Sequence, residues 1–206
     1  MSKFSEYIGS QMGNPRGLVG LFCCKIMNVI NRKMYKKTIS LLNLKENQKL
    51  LDIGYGNGYF LKLADKTFNC NLYGIDISDD MKTLSLKRNR RALKAKRLNL
   101  DIGDCCNLSF EDNFFDSVSS INTVYFWSDT VKGLSEIRRC LVPGGIFINV
   151  VYTKEWLDAL KYTEKGFKKF EPSELVEFGK QAGFETIEIM EIVKGKSFAV
   201  VYRKSS

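Results

Sequence analysis

The sequence predicts an α/β fold built on an open, mainly parallel sheet, and three observations carry that prediction. An apolar run, Leu50-Leu51, ends at Asp52 and gives way to Gly54, Gly56 and Gly58 at alternate positions. That is the pattern of a buried strand, a tight turn and a helix that starts near Asn57. A second short strand, Asn71–Asp76, ends in an acid about 20 residues past the turn, where nucleotide-binding α/β units place a carboxylate that accepts hydrogen bonds from ribose hydroxyls. Further along, Leu141-Val142-Pro143-Gly144-Gly145 turns into an apolar strand, Ile146–Tyr152.

The glycine turn selects between two ligand classes. A dinucleotide site wants Gly-x-Gly-x-x-Gly, with a pyrophosphate on the helix N-terminus. Gly54 and Gly56 fit, but Tyr59 stands where the third glycine belongs, and Asp52 would sit close to the anion. A cationic sulfonium ligand with an amino group tolerates that carboxylate. The arrangement Asp-x-Gly-x-Gly-x-Gly resembles the first motif of class I S-adenosylmethionine-dependent methyltransferases, with a plain glycine turn as the alternative.

Composition narrows the chemistry. A chain of 206 residues, 44% of them hydrophobic, is long enough for one domain with a full core. With no histidine, His-based general bases, Ser-His-Asp triads and His-ligated metals are excluded. Six cysteines (Cys23, Cys24, Cys70, Cys105, Cys106 and Cys140) form no Cys-x-x-Cys pair, which argues against a zinc site and for reduced thiols in the cytoplasm. Arsenite capture by the vicinal pairs would need separate elements to converge. The Met1–Ser10 segment lacks the apolar centre of a signal peptide. The apolar run Leu18–Ile30 contains Lys25 and is too short to span a bilayer. Net charge is +9, and eight basic residues fall between Lys82 and Arg97. A solvated helix face explains them more simply than an RNA or membrane partner, and no aromatic in the stretch offers base stacking.

In chain order, Asn14-Pro15-Arg16-Gly17 reads as a turn, followed by a helix with Leu18, Leu21, Phe22, Ile26, Val29 and Ile30 on one face, and a second helix to about Leu42. A helix over Tyr59–Lys66 follows the glycine turn. A basic helix over Asp79–Lys96 has Ser78 as its cap and Met81, Leu84 and Leu93 inward. Leu98–Ile102 and Phe115–Ile121 are the third and fourth strands. A helix from Ser128 and Asp129 buries Val131, Leu134, Ile137 and Leu141. Thr153–Phe170 is irregular and rich in aromatics, in the place of a substrate cover. Pro172 opens a helix that ends at Gly183, and Phe184–Ile192 and Ser197–Arg203 pair as closing strands.

The resemblance covers Leu42 to the C-terminus, most specifically Leu50–Gly145, and is closest to the small-molecule group that includes quinone-biosynthesis enzymes. It implies a Rossmann-like seven-stranded sheet in the order 3-2-1-4-5-7-6, with the last strand antiparallel and helices on both faces. Residues 1–42 would form a helical leader over the site, 43–151 the cofactor-binding core, and 152–206 the substrate cover and closing strand pair. S-adenosyl-L-methionine would be held by Asp52, Gly54, Tyr55, Gly56, Gly58, Asp76, Ile77, Asp104, Cys105 and Asn122, with Asn28 or Asn31 at its methionine end. Asp104 would meet the adenine amino group. Tyr55 departs from the family, which usually has a small residue there, so its side chain must point away from the cofactor or reshape the site. Tyr125, Trp127 and Tyr152 are candidates to face the acceptor, Tyr125 and Tyr152 also as phenol bases. No catalytic residue and no metal ligand is assigned. Asn122-Thr123-Val124-Tyr125 lacks the prolines typical of methyltransferases acting on nucleic-acid bases. A small-molecule acceptor is therefore preferred over RNA or protein methylation through the basic helix, over ligand binding without catalysis, and over a dinucleotide-dependent enzyme.

Overall fold

A computed structural model describes residues 3–13 and 15–205. Helices α1 (Lys3–Gly13), α2 (Gly17–Ile30) and α3 (Arg32–Leu41) precede the first strand. Strands β1 (Lys49–Ile53), β2 (Asn71–Asp76), β3 (Leu98–Ile102), β4 (Phe115–Ile121), β5 (Leu141–Tyr152), β6 (Thr186–Val193) and β7 (Ser197–Arg203) form one sheet in the order β3-β2-β1-β4-β5-β7-β6. The first five are parallel, and β7 runs antiparallel between β5 and β6, as expected. Helices α4 (Tyr59–Phe68), α5 (Asp79–Arg88), α6 (Arg90–Lys94), α7 (Thr130–Cys140), α8 (Lys154–Asp158) and α9 (Pro172–Gln181) fill the connections.

The central strands are covered on both faces, which is why they read as continuous apolar runs. Leu50, Leu51, Leu72, Phe115, Val118, Phe147 and Ile148 are fully enclosed. Inside this core, Asp65 of α4 is held by Arg97 at 2.7 Å and Arg91 at 2.9 Å. Those two and Arg88, which bonds Asn57, give part of the basic stretch structural work.

Three local expectations are corrected. The basic helix breaks at Asn89, whose side-chain amide donates to the carbonyls of Ser85 and Gly58. The break resets the helical phase, so Ala92 turns inward and Leu93 outward. Ser78 occupies the cap position, but its hydroxyl reaches the Pro15 carbonyl, and its N–H is taken by Asp76. The Leu141–Gly145 turn is a bulge within β5: Phe115 pairs with Leu141 and Ser117 already with Ile146. Helix α2 presents its apolar face outward: Phe22, Ile26, Val29 and Ile30 are exposed, while Gly20 and Cys23 are buried. Apolar spacing locates a stripe without saying what it faces, and here the smaller residues face inward, Gly20 against Gln11 and Pro15. Asn14 lies outside the described residues, as does the Leu18 side chain. Thr153–Phe170 is more regular than expected, holding α8, capped by Thr153 Oγ1, and a 3-10 turn at Lys161–Thr163.

Candidate active site

Strands β1 and β4 are neighbours from which the chain crosses over in opposite directions, so the loops at their carboxyl ends part into a crevice. It holds a cavity of about 350 Å³, walled by the glycine turn, the ends of β2, β3 and β4, and the leader helices. Gly54, Gly56 and Gly58 have φ of 69°, 50° and 71°, the left-handed region where a side chain is strained. A Cβ on Gly54 would strike the Thr123 methyl and one on Gly58 would strike Ser85, while Gly56 faces open space and leaves its main chain bare.

The carboxylates around this turn differ in state. Asp52 is buried and accepts a 2.9 Å bond from Ser119 Oγ. Burial pushes its carboxyl up to about 8, against the opposing pull of that bond. Asp76 is half-buried, and its Oδ2 accepts from Gly56 N–H at 2.8 Å while Oδ1 accepts from Ser78 N–H at 3.0 Å. Desolvation raises its carboxyl, and the main-chain bonds oppose the rise. Asp76 thus holds the turn itself, a role that strand-end placement did not reveal, and keeps lone pairs for a further donor. Asp104 is exposed at the cleft, with its Oδ1 taking the Cys106 N–H at 2.9 Å, which lowers its carboxyl.

Tyr55 points away from the cavity. Its ring lies over Gly74, where a Cβ would come within 2.5 Å of Cδ1, and its hydroxyl donates to the Asp101 carbonyl at 3.3 Å. Tyr55 is nonetheless among the residues that line the cleft. Ile77, 56% exposed, sits on the cleft wall as uncovered apolar surface. Cys105 is buried on the same wall. Asp104, Cys105 and Cys106 bring ligand atoms within 4.8 Å of one another, but burial pushes the Cys105 thiol far up, against the thiolate a cation requires. Cys23, Cys24 and Cys105, from separate elements, do meet on one cleft. Burial also raises Cys24, to about 11.

After β4, Asn122 adopts φ 60° and its side chain faces both the main cavity and a smaller one of about 20 Å³, room for about one water. Tyr125 donates to Asn122 Oδ1 at 3.0 Å and accepts from Tyr152 N–H at 2.6 Å. The Tyr152 hydroxyl donates to Asn31 Oδ1 at 2.6 Å, which ties α2 to β5. Both rings line the smaller cavity, but both hydroxyls are engaged and burial raises them well above the ordinary phenol range. Neither hydroxyl is free to serve as the phenol base considered from sequence, and both instead brace an asparagine, Asn122 and Asn31. Trp127 is buried on Phe147, and its Nε1 donates to Thr123 Oγ1 at 3.3 Å. Asn28 lines the main cavity beside Asn31.

Thr123 was not singled out from sequence. Its Oγ1 lies 2.6 Å from Ser120 Oγ, and its methyl supports Gly54, so it couples the two loops. Gln11 and Met12 of α1 and Tyr35 of α3 also close the cleft, and nothing local marks them. Gly9 of α1 packs on Tyr162, and Lys165 pairs with Glu6 at 2.6 Å, joining the leader to the segment after β5.

A model of the methyltransferase domain family matches residues 51–149. The uncharacterized methyltransferase YdaC of Bacillus subtilis is 30% identical over 165 residues, which are 80% of this chain and 86% of that protein. The demethylmenaquinone methyltransferase of Bacteroides fragilis is 32% identical over 117 residues, which are 56% of this chain and 48% of the relative. In fold, the chain superposes with TM-score 0.69 and 21% identity on Haemonchus contortus phosphoethanolamine N-methyltransferase 2, solved with S-adenosyl-L-methionine, over 85% of this chain and 53% of that one. Sheet order, glycine turn and these similarities agree: the chain belongs to the class I S-adenosylmethionine-dependent methyltransferases.

Proposed function

We propose that the chain methylates a small acceptor that carries no negative charge, with S-adenosylmethionine as donor. One observation carries this. In a chain of net charge +9, the described residues that line the main cavity include the carboxyls of Asp76 and Asp104, with Asp52 as a third that is protonated in the free cleft, and no lysine or arginine, and those that line the smaller cavity include no charged residue. Such a cleft suits a cation and repels phosphates and carboxylates. Phosphoethanolamine, named in one relative, is therefore a poor fit here.

The residues fit the donor. The bare main chain at Gly56 and the turn from Gly54 to Gly58 receive its middle. Asp76 accepts from the ribose hydroxyls, Ile77 and Cys105 flank the adenine, and Asp104 takes the adenine amino group. Asp52, Asn28 and Asn31 face the methionine end. When bound, the donor supplies a sulfonium methyl open to in-line displacement. The chain's own task is alignment and exclusion of water, which account for much of such catalysis. Asn122, held by Tyr125, stands where the two cavities meet and orients the acceptor against the methyl. Phe126 and Trp127 wall the main cavity beside Asn122 as its apolar acceptor side; the adjoining one-water cavity, walled by Tyr125, Tyr152 and Phe167, is too small to hold the acceptor. With no base in that wall, the acceptor atom is one that attacks without strong proton abstraction, such as an amine, a sulfur or a stabilised carbon. The leader (1–42) and the first part of the segment 152–206, up to Phe170, act as its cover, and the rest of that segment supplies the closing strand pair.

Calorimetric titration with S-adenosylmethionine and S-adenosylhomocysteine tests the donor site, with Asp76→Ala beside the wild type. Binding in the wild type and at least about a tenfold loss in the variant are expected. A folded wild type that binds neither ligand overturns the donor assignment. Methyl transfer to a panel of neutral, cationic and phosphorylated acceptors tests the rest, and preferred transfer to the phosphorylated members would overturn the charge argument.

A further inference from the structure

Helix α2 has two apolar faces, and only one is covered. Cys23, Cys24, Met27 and Asn28 line the cleft. On the other side Val19, Phe22, Ile26, Val29 and Ile30 are exposed, Phe22 at 64% and Val29 at 74%. At 100° per residue these five fall within an arc of about 100°, a continuous stripe along the helix. Among the described residues, half of the large exposed hydrophobics lie on this one helix.

The charge along the flanking chain has one sign, and the acid that reaches the helix is Asp80 of α5, which accepts from Gly17 N–H at 3.3 Å at its start. From Tyr7 to Lys45 the sequence holds seven basic residues and no acid. Arg16 precedes the helix, Lys25 borders the stripe, and Arg32 and Lys33 follow its end, all exposed. None of these four makes an ion pair among the described residues. An exposed apolar stripe with a cationic rim matches a surface that is anionic outside and apolar beneath.

We infer that the outer face of α2 docks this protein on an anionic lipid surface, with the apolar stripe entering the headgroup region and Arg16, Lys25, Arg32 and Lys33 on lipid phosphates. A second copy is a poorer occupant, because two such rims would repel. RNA is poorer still, because four of the five stripe residues are aliphatic and offer no stacking. The helix is too short to cross a bilayer, so the contact is interfacial. Because α2 also walls the cleft, docking would place the cleft beside the lipid phase and let an apolar acceptor enter from it.

Vesicle flotation decides this. The probes are phosphatidylcholine vesicles with and without about one third phosphatidylglycerol, at about 0.1 M salt. Wild type is compared with Phe22→Ser/Val29→Ser and with Arg32→Glu/Lys33→Glu. Calorimetric S-adenosylmethionine binding, or thermal unfolding should the donor not bind, confirms that each variant is folded. Flotation only with the anionic vesicles, reduced about tenfold or more in each double variant, is expected. No flotation of the wild type, or flotation unchanged in Phe22→Ser/Val29→Ser, overturns the proposal. So does a stable dimer that the same pair of substitutions dissolves.

Discussion

Replacing Asp52 by asparagine probes the most unusual electrostatic feature of the cleft. The side chain is enclosed, its one polar partner is Ser119, and its carboxyl is raised to about 8. In the unfolded chain an aspartate titrates near about 4. Between those values the folded protein holds a proton that the unfolded chain has lost, so raising the pH removes stability. The slope is about 1.4 kcal/mol per pH unit until the folded carboxyl ionises. Between about pH 6 and about pH 9 the wild type should therefore lose about 3 kcal/mol through this group. The asparagine side chain has nearly the shape of the protonated acid and nothing to titrate. Urea unfolding of both ligand-free proteins at the two pH values measures the difference, since other titrating groups are common to both. Parallel pH responses would refute the reasoning and show that Asp52 is ionised at neutral pH. Where the argument holds, S-adenosylmethionine, bringing positive charge to this carboxyl, should bind wild type with release of a proton near pH 7, and Asp52→Asn without it.

Three further substitutions have defined outcomes. Gly74→Ala sets a Cβ against Tyr55 Cδ1 at 2.5 Å and Leu100 Cδ2 at 2.8 Å, and should cost about 1–3 kcal/mol in urea unfolding, less in a Tyr55→Leu background. Arg97→Ala should destabilise by about 3 kcal/mol, because Asp65 is buried and Arg97 mostly so, whereas loss of the exposed Arg91 should cost under about 1 kcal/mol. Tyr125→Phe leaves Tyr152 N–H without its acceptor and frees Asn122, so stability should fall by about 1–3 kcal/mol and kcat should fall while donor affinity holds. An equal loss of donor affinity would place Asn122 at the donor instead.

Much of the fold was legible because its signals are local. Leu50–Asp52 is apolar enough to be a central strand, and the glycines after it admit one kind of turn. Asp129 capped α7 through Lys132 N–H as its position suggested. Leu134 and Ile137 are buried on the helical period that predicted them. Tyr55 stood out as a departure, and it required a side chain turned away, but not where the ring would go. That depends on Gly74, from another strand, which clears the space, and on the Asp101 carbonyl, from a third.

The direction of α2 shows the same division. Periodicity marked its apolar residues, yet a helix with hydrophobic side chains on much of its circumference does not declare which arc meets the rest of the protein. Tyr125 and Tyr152 stood near the site in sequence, but only the packed loop shows their hydroxyls bonded to Asn122 and Asn31 and not free in the cleft. Sequence alone determined the strands, the glycine turn, the acid at the end of β2 and the absence of histidine chemistry, because each rests on neighbouring residues or on composition. Only the tertiary structure decided the protonation of Asp52, the tie from Asp76 to Gly56, the wall made by α1 and α3 and the exposed face of α2. Burial, and contact between residues far apart in the chain, arise only when the elements pack.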